Sequence, residues 1–587
     1  MLENPYKHGS IPWLVLLLVL VTAVYLPSLG GGFVGLDDRI ISENPQIRQL
    51  SAGSIFRTFV PSGGIGSSYQ PLRSLTFSIV YAVQGANPAG FLILNLLLYL
   101  ANIILFHKLA LLLLGERRSR NLTAALVAAA LFAFHPVHVE IVSWHQGSKV
   151  TLMGLFYLWS LICYYRFRSG GGELFYWFCL FLFVAALMSQ PAAVSLPLVI
   201  VLWEVLGTPG LNREQAVSPV GAVALRLAPF FLPAAALAFH LLFVSSVRLG
   251  AGAAGDAPLV SRLAFLPVVL GKSMLKFLLP VNLCARYPLD VPVDINPFRS
   301  LGWLAFCAAV GWVVLRMTSN RATGWFLLLI FVVTALPSSG MVETSTLMAD
   351  RYQYLPGMAL CLVAGFGLKN LLESDTAGKE SVSLTAALLL VVLTGLAVVS
   401  LARQSDWHNR LSLWSRVVQV YPGHSLGHFN LADAYAASGE KHKAIEHYGR
   451  ALEINPGYGD AYANLSTLVL GQGRVELARR LIGNALKLRP DRAEVWIKHG
   501  NIMAASSEDS LAEVSYRRAI EIDDDWAWAG HFNMGMLYLG RGDTLHARTQ
   551  LQLALDKALS GRRPQETEPA IRNVLKNLQA TGREHQR

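Results

Sequence analysis

A break near residue 403 constrains this chain more than any other feature. Before it, one long apolar segment follows another. After it, the sequence is polar and charged and echoes itself every 34 residues. The chain has 587 residues, 53% hydrophobic and only 15% charged, with a mean hydropathy of +0.42. A soluble chain of that length needs more charge to solvate its surface. Runs such as 11–29 and 91–114 can cross about 30 Å of hydrocarbon. The net charge of +11 and pI near 9.4 fit nucleic acid or a membrane. Lys and Arg cluster in short loops between apolar runs, so the membrane reading is preferred and no nucleic-acid partner is expected. The five cysteines imply no disulfide framework. The segment 11–29 follows MLENPYKHGS without a small-residue cleavage pattern and reads as a retained anchor.

About eleven spans are expected, near 11–29, 88–114, 121–135, 150–166, 173–188, 191–206, 224–246, 300–317, 323–337, 352–371 and 384–402. They make residues 1–402 an all-α polytopic bundle. The basic loops around Arg117, Arg168 and Arg321 share one side if the N-terminus is cytoplasmic. The opposite side then receives the loop after the first span, the loops 135–149 and 338–351, and everything past 403. Residues 71–84 and 261–280 read as interfacial, the latter lying along the surface or re-entrant.

In the second region Pro422, Pro456 and Pro490 recur 34 residues apart, as do Ala451, Ala485 and Ala519. Gly439 and Gly473 break the first helix of their repeats. Period, small residues and terminal proline match the tetratricopeptide repeat, a helical solenoid with a concave groove. The solenoid is expected over 403–560, with 561–587 a polar basic tail that frays. Such a groove suits a protein or peptide partner.

Candidate chemistry gathers in the non-cytoplasmic loops. Asp37 and Asp38 lie just past a span, where carboxylates are costly. They suit a general base or a divalent cation as well as a solvated turn. His135, His138 and Glu140 sit within six residues. They fit no closed tetrahedral site, so no metal ligand is assigned and hydrogen bonding to substrate is preferred. Lys149 stands where the chain re-enters the membrane, as a phosphate contact or a snorkelling residue. Arg351, at another span mouth, has the fork that matches phosphate oxygens, unless it pairs with Asp350. Arg73 is a weaker candidate of the same kind. No P-loop, dinucleotide fingerprint or nucleophile elbow occurs.

Together GGFVGLDDRIISENPQIR, SSYQPLRSLTFSIVYAVQGANPAGF, FAFHPVHVEIVSWHQGSK, LMSQPAAVSLPLVIVLWE and MADRYQYLP, followed by the repeats, resemble one group. It is the transmembrane and tetratricopeptide-repeat O-mannosyltransferase family, in its bacterial branch. The resemblance covers nearly the whole chain. It implies a GT-C-like glycosyltransferase that moves mannose or another hexose from a polyprenyl- or dolichyl-phosphate donor to Ser or Thr of a protein. It also implies roles. Asp37 or Asp38 acts near the acceptor, with Glu140 beside them. His135, His138, Lys149, Arg351 and Arg73 bind substrate. The chain departs from the family at Lys149-Val150, where a basic-then-acidic pair is usual, and at Ser189-Gln190-Pro191, where Ser-Lys-Pro is usual. The expected location is a bacterial inner membrane with the repeats in the periplasm, or the endoplasmic reticulum in a eukaryote. Two rivals remain, a transferase acting on lipid or polysaccharide and a non-enzymatic repeat scaffold for envelope assembly.

Overall fold

Asparagine and proline set the start of the longest apolar helix. Asn87 caps it by accepting a hydrogen bond from the Ala89 N–H, and Pro88 opens the first turn, where no donor is needed. The 27-residue helix Pro88–Leu114 stops at Gly115, whose φ of 96° favours glycine. At about 1.5 Å per residue it is roughly 40 Å long, enough to cross a bilayer.

The computed structural model describes residues 10–584 apart from 36, 43, 45, 61–68, 116–118, 208–219, 241–258, 289–296, 319, 340–345, 375–378 and 561–563. The described residues contain helices and no strand. The chain forms two compact units, Met1–Ser42 with Gln46–Arg416, and Glu43–Pro45 with Val417–Arg587. The boundary falls after Arg416 rather than 402, because Arg403 and Trp407 are buried in the first unit.

Among the described residues of the first unit, seven helices are long and apolar enough to cross a membrane. The pair Ser119–Phe134 and Pro136–Ser143, bent by 51°, qualifies if taken together, and Glu173–Ser189, Pro191–Leu206 and Val223–Phe239 are shorter apolar helices. These helices fall on the expected segments, of which 224–246 lies outside the described residues past 240; seven, or eight with the bent pair, meet the length criterion. Lipid offers no hydrophobic drive between helices, so close contact relies on small residues. Ala124, Ala125, Ala128 and Ala129 are fully buried. A Cβ on Gly365 would lie 3.2 Å from both the Ala124 carbonyl oxygen and the Ala128 Cβ. The helix Leu259–Leu278 packs along Pro297–Met317, and its last turn reaches His135.

Contacts sort the loops into two ends. At one, Lys369 donates to the Leu114 carbonyl and Asn370 to that of Met317. There Glu204 is held by Tyr164 at 2.5 Å, Arg168 at 2.6 Å and Arg226 at 3.2 Å. Glu204 is therefore a neutralised staple between helices. At the other end, loop 31–42 meets 135–149, and 135–149 meets the turn at Asp350 and the segment 403–408. The four regions expected on one face thus converge, so far as they lie in this unit.

The second unit is a stack of helix pairs from Ser425–Ala437 and Lys441–Ile454 to Asp524–Gly540 and Thr544–Ser560. Ala451, Ala485, Ala519 and Ala554 are fully buried where helices cross. Each first helix ends in a left-handed residue: Gly439 (φ 81°), Gly473 (75°), Ser507 (61°) and Gly542 (77°). The tail departs from expectation. Pro564–Glu584 is a helix that packs Ile571 and Leu575 on Leu551, Leu555 and Ala558. Its apolar residues 571, 574, 575 and 578 follow a helical period, so the tail covers the stack's last face.

Candidate functional site

The left-handed Gly35 (φ 62°) turns the first loop back on itself, and the Asp37 carboxylate accepts from the Val34 N–H at 2.9 Å. Three further donors come from the second loop. Trp144 Nε1–H donates to Oδ1 at 3.0 Å, Gln146 Nε2–H to Oδ1 at 3.0 Å, and His145 Nδ1–H to Oδ2 at 3.1 Å. Asp37 is wholly buried. Four donors fill the lone-pair directions of the carboxylate. The Asp38 side chain lies outside the described residues.

Glu140 is also fully buried. It accepts from the Arg351 backbone N–H at 2.8 Å and pairs with the Arg351 guanidinium at 2.5 Å. Asp350 turns away from Arg351, accepting from Tyr287 Oη–H at 2.5 Å and Arg403 Nη1–H at 2.8 Å. Arg351 therefore answers to Glu140, not to its sequence neighbour.

Trp144 joins these groups. Its N–H serves Asp37, while Lys149 Nζ lies 5.0 Å and Arg351 Cζ 5.4 Å from its ring centroid. Neither Lys149 nor Arg73 has an ion pair among the described residues. Arg73 packs over Phe77 at 5.9 Å, and its Nε is buried with no hydrogen-bond partner. Burial pulls its guanidinium below the usual arginine range, and the Asp37 charge opposes that shift. Arg351 is neutralised by Glu140, while Arg73 and Lys149 are uncompensated. Among the described residues, no three His, Cys, Asp or Glu side chains come together as a metal site.

His135 and His138 do not join this cluster. His135 Nε2–H donates to the Phe277 carbonyl at 2.8 Å, and its ring stacks on Phe277 at 3.9 Å. His138 Nδ1–H donates to the Phe132 carbonyl at 2.8 Å. Both carbonyls lie in the last turns of helices, where no backbone donor remains. Tyr99 serves Phe132 and Ala133 likewise, and Ser400 serves Phe134. The motif His135-Pro136-Val137-His138 therefore caps helix ends inside an apolar bundle, where an open carbonyl costs several kcal/mol. Neither histidine expected to bind substrate is brought beside Asp37, Lys149 or Arg351 by these bonds.

Gln70 Nε2–H donates to the Gln190 side-chain oxygen at 2.9 Å. The position at which the sequence departs from Ser-Lys-Pro thus lies against the start of the helix Pro71–Gln84, which carries Arg73. Sequence reasoning left Trp144, His145, Gln146 and Arg403 without roles. Their partners lie 53 to 109 residues away, beyond any periodic signal. The only hint was Trp144-His145-Gln146 standing beside a lysine at a span mouth.

Bundle, solenoid and site together define a class: a helical membrane body with a carboxylate-and-cation centre, joined to tetratricopeptide repeats. The family description "Tetratricopeptide repeat" matches residues 425–458. A Caenorhabditis elegans protein O-mannosyl-transferase is 26% identical over 449 residues, covering 74% of this chain and 62% of the relative. The mouse protein O-mannosyl-transferase TMTC3 is 22% identical over 457 residues, covering 72% of this chain and 48% of the relative. This chain therefore spans about half to three-fifths of these relatives' length. Among solved structures, the crystal structure of MamA is 20% identical with a TM-score of 0.24, covering 27% of this chain and 90% of that one. The homologues of this chain are thus protein O-mannosyl-transferases, as the sequence resemblance implied.

Proposed function

We propose that this protein is a membrane glycosyltransferase that moves a hexose from a polyprenyl-phosphate donor to Ser or Thr hydroxyls of a protein. The observation that carries the reading is the pair of uncompensated cations, Arg73 and Lys149, beside a carboxylate-fixed loop. A half-buried cation without an ion pair is costly, and an anion that enters with the substrate reduces that cost. A sugar phosphodiester gains negative charge on its phosphate as the glycosidic bond breaks. Fixed cations favour that state over the ground state, which lowers the barrier. Arg351, held by Glu140, keeps a fork edge for the same phosphate. The acidic loop at Asp37 and Asp38 supplies the means of removing the acceptor's proton. Direct attack of the hydroxyl on the anomeric carbon gives inversion.

The repeats hold the acceptor chain and raise its local concentration. Asn430, Asn464 and Lys498 recur at the repeat period on the first helices, where Lys498 donates to Asn464 and Asn464 to Asp433, so a polar ladder runs along the stack. In this reading the site end of the bundle faces the periplasm or the lumen. The purified chain should transfer mannose from polyprenyl-phosphate mannose to a Ser/Thr peptide, and mass spectrometry of envelope proteins should show hexose that disappears when the chain is deleted. Unchanged glycoproteins in the deletion strain, with no transfer from the lipid-linked sugar, would overturn the proposal.

A further inference from the structure

Resting on that reading, we infer that His145 is the group that takes the proton from the acceptor hydroxyl, and that Asp37 acts through it as a positioning residue. A general base needs an open lone pair. Asp37 has none, since four donors surround it. Glu140 faces Arg351 with both oxygens. Asp350 is bound by Tyr287 and Arg403, and Asp406 by Arg403 and Arg416. Every carboxylate with a described side chain at this end is therefore engaged.

His145 supplies what they lack. Its Nδ1–H donates to Asp37 Oδ2, which leaves Nε2 as the nitrogen with the lone pair. That Nε2 is buried and has no hydrogen-bond partner. An unpartnered polar atom in an interior costs about 1–3 kcal/mol, so its retention calls for a use. His138 Nε2 is also unpartnered, and both rings are wholly buried against aromatic side chains, but no carboxylate stands at the other nitrogen of His138 to steady a charge. Among the described histidines at this end of the first unit, His145 combines an unpartnered buried nitrogen with a carboxylate on the other. That pairing fixes the tautomer and stabilises the imidazolium, as in nucleophile–base–orienter sets generally. It also stands one residue from Trp144, against which both Lys149 and Arg351 rest.

The step balances without a further reactant. The acceptor oxygen forms its bond to the anomeric carbon as its proton passes to His145 Nε2. The bond from that carbon to the phosphate oxygen breaks, and the phosphate leaves with the electron pair. The imidazolium stays paired with Asp37 until it returns its proton to the phosphate or to water.

The test uses the full chain, polyprenyl-phosphate mannose and a Ser/Thr peptide. His145→Gln should lower kcat by about 10²–10⁴-fold, the usual range for a general base, while the donor KM holds. The pH profile of transfer should differ between the wild type and the variant, since the group proposed to take the proton is gone. Imidazole added to His145→Gly should restore part of the rate, which a folding defect would not allow. Asp37→Asn should lower kcat with the donor KM unchanged and shift the pH profile, as expected of a residue acting through His145. If His145→Gln keeps the wild-type kcat and pH profile while Asp37→Asn or Asp38→Asn is dead, the base is a carboxylate and the inference fails alone. If the wild type transfers nothing from the lipid-linked sugar, the proposed function fails and this inference falls with it.

Discussion

Removing Arg351 should destabilise the bundle chiefly by stranding Glu140. Glu140 is wholly buried, and the Arg351 side chain is 17% exposed. Deleting one member of a buried ion pair costs about 3–5 kcal/mol, because a charge is left behind. Here the lower end applies, since Glu140 keeps the Arg351 backbone N–H at 2.8 Å. Arg351→Met should therefore cost about 3 kcal/mol and Glu140→Gln about 1–2 kcal/mol, because the arginine left behind can reach water. The double variant buries no charge at this pair and should lose only about 1–2 kcal/mol, a coupling near 2 kcal/mol or more. The four proteins, purified in detergent, are unfolded with increasing dodecyl sulfate and followed by circular dichroism. The repeat unit is identical in all four, so differences report the first unit. A loss under about 1 kcal/mol for Arg351→Met, or a double variant as unstable as the sum of the singles, would refute the buried-pair argument.

Gln190→Lys should place an ammonium beside Gln70, whose side-chain oxygen is buried without a partner, and lower the donor KM several-fold; an unchanged or higher KM counts against a phosphate at this end. Ser507→Gly should raise the stability of the repeats by about 1 kcal/mol, since Ser507 occupies the left-handed position that glycine fills in the other repeats; thermal unfolding measures it. Burial, and His428 beside it, hold the His447 imidazole below its usual range. The unfolded chain then binds the proton first, so repeat stability is present above about pH 6.5 and lost as the pH falls below it. His447→Gln should flatten that slope in unfolding midpoints taken across the range.

Hydropathy and period made most of the fold legible. Apolar runs mark spans because lipid leaves backbone groups no outside partner. The repeats announced themselves through Ala451, Ala485 and Ala519, where only a small side chain lets two helices cross. The terminal helix escaped notice because its polar surface outweighs four apolar residues. At the site, Asp37, Glu140, Lys149 and Arg351 stood out as charges at span mouths, where charge is expensive. Their pairing was not readable. Asp350–Arg351 looked natural as neighbours, yet helix geometry sends the two side chains apart, toward Arg403 and Glu140. For the two histidines at 135 and 138 the sequence could not separate two roles, because capping a carbonyl and binding a sugar use the same ring nitrogens. Telling them apart needs the position of Phe132 and Phe277.

One indole carries an unusual burden for a lineage of such proteins. Because the face of Trp144 rests against Lys149 and Arg351 while its edge donates to Asp37, a change at this one residue disturbs both groups at once. Under the proposed function, a change of sugar or acceptor would fall to neighbours such as Gln70 and Gln190 or to the repeats rather than to position 144.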